Sequence, residues 1–357
     1  MRFRFKTGIA LTFPLQLLAV NWMAAHPQWV EKYYSTGVYP TIASFFRRLY
    51  GWIPFSMGDI VYFLILVLCL AYLIRRWHRI RNHPWSFVRD ILMVISIVHF
   101  TFYLAWGSNY FRVPLAKTLG YEITYTTGDL VSLTEQLVQK TNTLQEKLSG
   151  NAESPVTIPM DRKAVLDKTV TGYRYLSSLF PDFEYRPPSL KPSLFSTALS
   201  YMGYGGYLNP FTGEAQVNNR LPLFRYPVVS GHEVGHQLGY SAENETNFIG
   251  YLVTLRNPDI NFQYTAAAYG LSYCLSEIRR RDKGTYEKLL KDINPGVRAN
   301  FKELSDFWKG YANPMEPVFK SIFNRFLEIN KQKDGIRSYN RVVALIIGYH
   351  RVYPLSP

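Results

Sequence analysis

The sequence predicts a mainly α protein: three N-terminal helices that span a membrane, followed by a helix-rich α+β domain with a small edge sheet. Three observations carry this. Nearly all the long apolar runs of the 357-residue chain lie before Trp106. The remainder reads as amphipathic helices separated by turn residues. One strand-like run, Glu214 to Asn218, precedes a helix that carries the pattern H-E-x-x-H. These divide the chain into a membrane region, 1–108, and an outer domain, 109–357.

The first span is expected over about 8–25, behind the basic start Arg2, Arg4 and Lys6. It reads as a signal peptide or an uncleaved anchor. The anchor is favoured, because Met23 rather than a small residue precedes Ala24 and Ala25. Trp22 and Trp29 would mark the interface. The second span, about 53–74, ends in the basic cluster from Arg75 to Arg81, and the third covers about 88–106. Each is near the length that crosses a bilayer core, and the basic collars distinguish them from buried helices of a water-soluble fold. His99 lies inside the third span, where a hydrogen bond to a neighbouring helix is the expected role. The arginine cluster between spans two and three and the basic N-terminus should both stay cytoplasmic, so that everything after Trp106 is extracytoplasmic. Arg47 and Arg48, in the loop between the first two spans, run against that pattern.

In the outer domain, Leu130, Leu133, Leu137, Leu144 and Leu148 recur at helical spacing until Ser149-Gly150-Asn151. A second helix is expected over about 161–180, before the prolines at 187, 188 and 192. Both should cover the core. The glycines from 203 to 206 and Asn209-Pro210 read as turns, and Glu214, Ala215, Gln216, Val217 and Asn218 as a short strand. An edge strand there would align a substrate backbone by strand addition. The glycine run lacks the G-K-[ST] ending of a phosphate loop.

In the run Gly231-His232-Glu233-Val234-Gly235-His236, the two histidines are one helical turn apart. Their Cβ atoms then stand about 5–6 Å apart on one face, within reach of a single Zn²⁺. Glu233, beside the first ligand, is the candidate general base for a zinc-activated water. Pro227 suits the first turn and Gly239 the left-handed residue that ends the helix. On a straight helix a ligand seven residues beyond His236 would lie about 10 Å further along the axis, and a bend at Gly239 removes that obstacle. Ser241 is expected to cap a second helix running through Thr254, with Phe248, Tyr251, Leu252 and Leu255 buried. Glu243 sits in its first turn, with Asn247 on the same face and Glu245 turned away. Glu243 is therefore the expected third ligand, with Glu245 the competitor, and Asn247 is placed to orient a ligand. Further helices are expected over about 265–281, 285–293, 297–311, 317–330 and 338–352.

Glu243-x-x-Thr246-Asn247 resembles the E-x-x-A/S-D/N element of the gluzincin metallopeptidases. That resemblance implies a zincin-like metallopeptidase domain in which the first Glu is the third zinc ligand and the last residue hydrogen-bonds a zinc-binding histidine. Here Thr replaces the small residue, Asn the commoner Asp, and the gap between the two motifs is short. The whole chain also resembles a family of bacterial membrane proteins known as a domain of unknown function, with three N-terminal spans and an H-E-x-x-H domain. The matching landmarks are Pro54-Phe55-Ser56-Met57-Gly58-Asp59, Trp106-Gly107-Ser108-Asn109-Tyr110, Pro210-Phe211-Thr212-Gly213-Glu214, the histidine motif and Asp334-Gly335-Ile336-Arg337-Ser338-Tyr339.

The function expected is a zinc metallopeptidase with one Zn²⁺ per chain, anchored in a bacterial inner membrane with its catalytic domain in the periplasm. A zinc hydrolase of a cell-envelope ester or amide, and a catalytically inactive scaffold, are the alternatives. The expected partners are the lipid bilayer and a peptide or protein substrate. The formal charge of +14 is spread along the chain rather than gathered in an aromatic-interleaved patch, so no nucleic-acid partner is expected. Cys69 and Cys274 lie in apolar and helical runs, outside any C-x-x-C or Cys/His cluster.

Overall fold

Among the described residues three helices are apolar and long enough to cross a membrane: Phe5–Ala25, Met57–His78 and Pro84–Ala105. The computed structural model describes residues 2–332 and 339–355 of the chain. Within the three apolar windows 0%, 11% and 6% of residues are buried. A helix from a water-soluble core would hide those side chains, so the exposure fits lipid rather than protein as their surroundings. The second helix begins at Met57 rather than at 53, because Pro54 is followed by Ser56, whose hydroxyl accepts the Asp59 N–H at 3.0 Å and caps the first turn. Spans one and three are held together by polar contacts: Lys6 to Asp90 at 2.9 Å, and Gln16 to Ser96 at 2.8 Å and to His99 at 2.9 Å. The role expected of His99 is thus the one observed.

Residues 27–50, between the first two spans, fold as a short helix, a π-helical stretch Val30–Val38 and the helix Tyr39–Tyr50. Val30, Tyr34, Tyr39 and Ala43 form one buried cluster with Tyr103, Trp106, Tyr110, Phe111 and Leu327. The inter-span segment therefore packs on the part of the chain that follows span three. Arg47 is buried in this contact, with its guanidinium 3.3 Å from the Arg186 carbonyl and over the Tyr185 ring. Packing thus accounts for the arginine that runs against the charge pattern. Arg48 stays exposed.

The globular part is a stack of helices. Thr127–Ser149 starts at a Thr126/Asp129 capping box, ends on a left-handed Gly150, and buries Leu130, Leu133, Leu137 and Leu144. It packs on Ile260–Arg281, which packs on Glu243–Leu255, which lies against the motif helix Tyr226–Gln237. Arg162–Leu179, capped by Asp161, covers the motif helix and its successor. Further helices are Leu115–Thr118, Ser196–Met202, Lys283–Lys291, Pro295–Gly310, Glu316–Ile329 and Tyr339–Val352. Residues 334–338, quoted above as a landmark and as the expected start of the last helix, lie outside the described residues.

The sheet has three short strands, β1 (Leu190–Pro192), β2 (Gly206–Asn209) and β3 (Glu214–Val217), in the order β1-β3-β2. This corrects the expectation for Glu214, Ala215, Gln216, Val217 and Asn218. β3 is the central strand, paired in parallel with β1 and antiparallel with β2, and all four of its residues are buried. Asn218 leaves the strand and bonds back to Gly205 and Tyr204. With both its ladders used, β3 has no edge to offer. The edges belong to β1 and β2, each of which pairs only with β3 among the described residues.

Candidate metal centre

The motif helix is built for close approach. Pro227 lies in its first turn, and Val228, Val234 and Gly231 are buried. A Cβ on Gly231 would stand 2.4 Å from Val253 Cγ1, and one on Gly250 would stand 2.6 Å from the Val228 carbonyl oxygen. Side chains at these positions would push the two helices apart. The helix ends at Gln237, and Gly239, at φ +85°, makes the bend that sends the chain into Glu243–Leu255. The second helix begins on Ala242 without a side-chain cap. Ser241, expected to cap it, is buried with no hydrogen-bond partner for its hydroxyl.

The last carbonyls of the motif helix are bonded by residues far away in sequence. Trp106 Nε1 donates to the His236 carbonyl at 2.8 Å, Tyr39 Oη to Gln237 at 2.8 Å, and Arg112 to Gly239 at 3.1 Å. Such carbonyls have no partner within their own helix, and a cation suits that end of its dipole. Nothing in the sequence assigned these partners. The only signal was the Trp106-Gly107-Ser108-Asn109-Tyr110 landmark.

The bend brings Glu243 back over both imidazoles. Its two carboxylate oxygens lie 3.5 Å from His232 Nε2 and 3.7 Å from His236 Nε2. His236 Nδ1 donates to the Tyr240 carbonyl at 2.8 Å, and His232 Nδ1 to Asn247 Oδ1 at 3.0 Å. An oxygen of either kind only accepts, so in each neutral ring the proton sits on Nδ1 and the Nε2 lone pair faces Glu243. Asn247 Oδ1 also accepts from Tyr269 Oη at 2.9 Å. Burial pushes the His232 pKa well below its ordinary value, helped by His236, and that of His236 down to about 4. Burial also raises Glu243 to about 7.

Two lone pairs and a carboxylate thus converge with no hydrogen-bond donor among them. Tetrahedral zinc with ligands at about 2.0–2.1 Å holds neighbouring donor atoms about 3.3–3.4 Å apart. The observed separations of 3.5 and 3.7 Å are close to that, so the residues present fit the metal. His232, Glu233 and His236 also offer ligand atoms within 4.8 Å of one another. Two carboxylates therefore border the imidazole pair. Glu243 makes the closer approach, with one oxygen for each ring, which favours it as third ligand.

Glu233 is different in kind. It is 3% exposed, its Oε2 has no hydrogen-bond partner among the described residues, and burial, with Glu243 nearby, raises its pKa well above the ordinary carboxylate value. The carboxylate lies directly against β2, where a Cβ on Gly206 would stand 2.6 Å from its Oε1. Glu245 points elsewhere, as its position two residues along the helix requires. Its Oε1 accepts the Leu115 N–H at 2.7 Å, and it is held near Arg112. A cavity of about 770 Å³ borders His232, Glu233, His236, Glu243 and Asn247.

No curated protein matches this chain. No solved structure matches it either. A family model does, over residues 34–347, from the inter-span segment through all of the residues just described. The chain belongs to the family described as "Protein of unknown function (DUF3810)".

Proposed function

We propose that this chain is a membrane-anchored zinc metallopeptidase, with one Zn²⁺ held by His232, His236 and Glu243, and with its globular domain on the periplasmic side of a bacterial inner membrane. The observation that carries the reading is the pair of Nε2 lone pairs facing both oxygens of Glu243, each ring fixed through Nδ1. The chemistry zinc supplies when bound is Lewis acidity toward a carbonyl oxygen and toward water.

The chain's own residues supply the rest. Glu233 Oε2, buried and without a partner, takes a proton from the water that adds to the scissile carbonyl carbon. It passes that proton to the leaving nitrogen as the C–N bond breaks. Burial and the nearby Glu243 raise its pKa, which strengthens the carboxylate as a proton acceptor. Glu233 lies over the face of β2 at Gly206, so a substrate strand added at the outer edge of β2 would run beside the base. A strand edge recognises backbone N–H and C=O groups, which favours a peptide over a simple ester.

The topology has geometric support as well. The inter-span segment 27–50 packs with residues that follow span three, and three crossings put those two stretches on the same side of a bilayer.

The test is the nearly isosteric Glu233→Gln. The variant should bind one zinc per chain, keep the fold, and lose at least about a hundredfold in cleavage of a degenerate peptide library. Full activity in that variant would sink the mechanism.

A further inference from the structure

We propose that the substrate is a polypeptide with a membrane-embedded apolar segment next to the cleaved bond, entering the cavity sideways from the bilayer between the second and third spans. This rests on the peptidase reading above.

The cavity that borders His232 and Glu233 continues down to the membrane helices. Its apolar wall includes Tyr62 of the second span, Phe102 of the third, Phe323 and Phe326 of the helix Glu316–Ile329, and Phe211 beside the sheet. Tyr62 lies five residues into its helix and Phe102 three residues before the end of its own. At 1.5 Å per residue these rings sit about 7 and 4 Å inside the outer ends of the spans, at the depth of the bilayer interface.

The outer ends of the two spans are tied to different parts of the domain. Gly58 N–H donates to Glu214 Oε2 at 2.5 Å, and Asp59 accepts from Leu194 N–H at 2.6 Å and from Tyr207, which joins span two to the sheet. Span three ends in Trp106, bonded to the motif helix. The gap between these anchorages is where the cavity lies. The helices Ser196–Met202, Pro295–Gly310 and Glu316–Ile329 add further walls. Phe326 packs edge-on against Phe102 at 5.9 Å and Phe323 against Tyr204 at 5.6 Å. The next face of this helix exposes Val318, Ile322 and Ile329 at 44%, 64% and 66%. Arg325 is exposed on the same face, and an apolar face that carries a basic residue, beside membrane spans, suits a helix lying in the bilayer interface.

A lipid tail needs only apolar walls. This cavity also carries the unpaired edge of β2, and Tyr207 and Leu208 of that strand line it. Backbone recognition alongside apolar walls suits an extended apolar polypeptide.

The experiment uses the full-length, zinc-loaded protein in vesicles of phosphatidylethanolamine and phosphatidylglycerol. One degenerate decapeptide library is presented in three forms: free, palmitoyl-anchored, and joined to a single Leu/Ala-rich spanning helix. At matched surface density the helix-anchored form should be cut at least about tenfold faster than the palmitoyl-anchored one, the lower end for filling an apolar pocket. Equal rates for those two forms, or a free library cut as fast, would overturn the proposal while leaving the peptidase reading intact. A second readout is independent of turnover. In Glu233→Gln, a benzophenone side chain replacing Phe323 should crosslink to the helix-anchored library, and the same probe replacing the lipid-facing Leu66 should do so far less. Crosslinking to phospholipid alone, or equally at both positions, overturns the proposal. If no form is cut, the peptidase reading fails, and the crosslinks alone decide whether the cavity takes a membrane-embedded chain.

Discussion

Glu243 and Glu245 stand two residues apart and both have carboxyls raised to about 7, yet their removal should have opposite consequences. Glu245 accepts the buried Leu115 N–H at 2.7 Å. Glu245→Ala leaves that donor unpaired, at a cost of about 1–3 kcal/mol. For a globular part of this size each kcal/mol lowers Tm by about 2–4 °C, so metal-free Glu245→Ala should melt roughly 2–12 °C below the wild type. Glu243 has no donor to satisfy and faces two lone pairs, so metal-free Glu243→Ala should melt within about a degree of the wild type, as expected where no contact that stabilises the fold is removed. Zinc reverses the order. A ligand present at a hundred times its Kd stabilises the state that binds it by about 2.7 kcal/mol. Wild type and Glu245→Ala should therefore each gain about 5–11 °C on adding zinc at that excess, and Glu243→Ala almost nothing. Differential scanning fluorimetry in detergent, with and without a chelator, reads all of these shifts. A zinc shift retained in Glu243→Ala and lost in Glu245→Ala would refute the ligand assignment.

Three further outcomes follow from the same geometry. Asn247→Leu removes the acceptor that holds His232 Nδ1–H, and competition with a zinc-binding dye should show zinc affinity about 10–100-fold weaker with the fold retained. His350, buried between Tyr251 and the Tyr353 carbonyl, has a pKa lowered by burial to about 4. The unfolded chain takes up this proton first, so the neutral ring stabilises the fold fully above about pH 6.5, and that contribution is lost as pH falls through about 4. The loss is on the order of 3 kcal/mol, and melting curves of wild type and His350→Gln should converge over that window. A reporter fused after Trp106 should be extracytoplasmic and one at about Arg79 cytoplasmic, since the arginine cluster resists translocation; the reverse pattern would place the domain inside the cell.

The sequence by itself determined the parts of this protein that depend on near neighbours. A 3.6-residue pitch puts His232 and His236 on one face whatever else the chain does, and a glycine at 239 allows the left-handed turn that ends their helix. The three spans are legible for the same reason, because an unbroken apolar run carries its own instruction to leave water. Spacing on the second helix separated Glu243 and Asn247 from Glu245 before any contact was known. What only the tertiary structure decided is everything joined across long stretches of chain. Tyr39 and Gln237 are 198 residues apart and Trp106 and His236 are 130 apart, and no periodicity links such pairs. Strand order is of this kind too. Residues 214–217 read as a strand, but their place between β1 and β2 depends on which segments the helices bring alongside, so the edges passed to Leu190–Pro192 and Gly206–Asn209. The depth of the cavity depends on where spans two and three are tied to the domain, and those ties, Asp59 to Leu194 and Trp106 to His236, are made by single polar groups whose partners are chosen only when the whole chain packs.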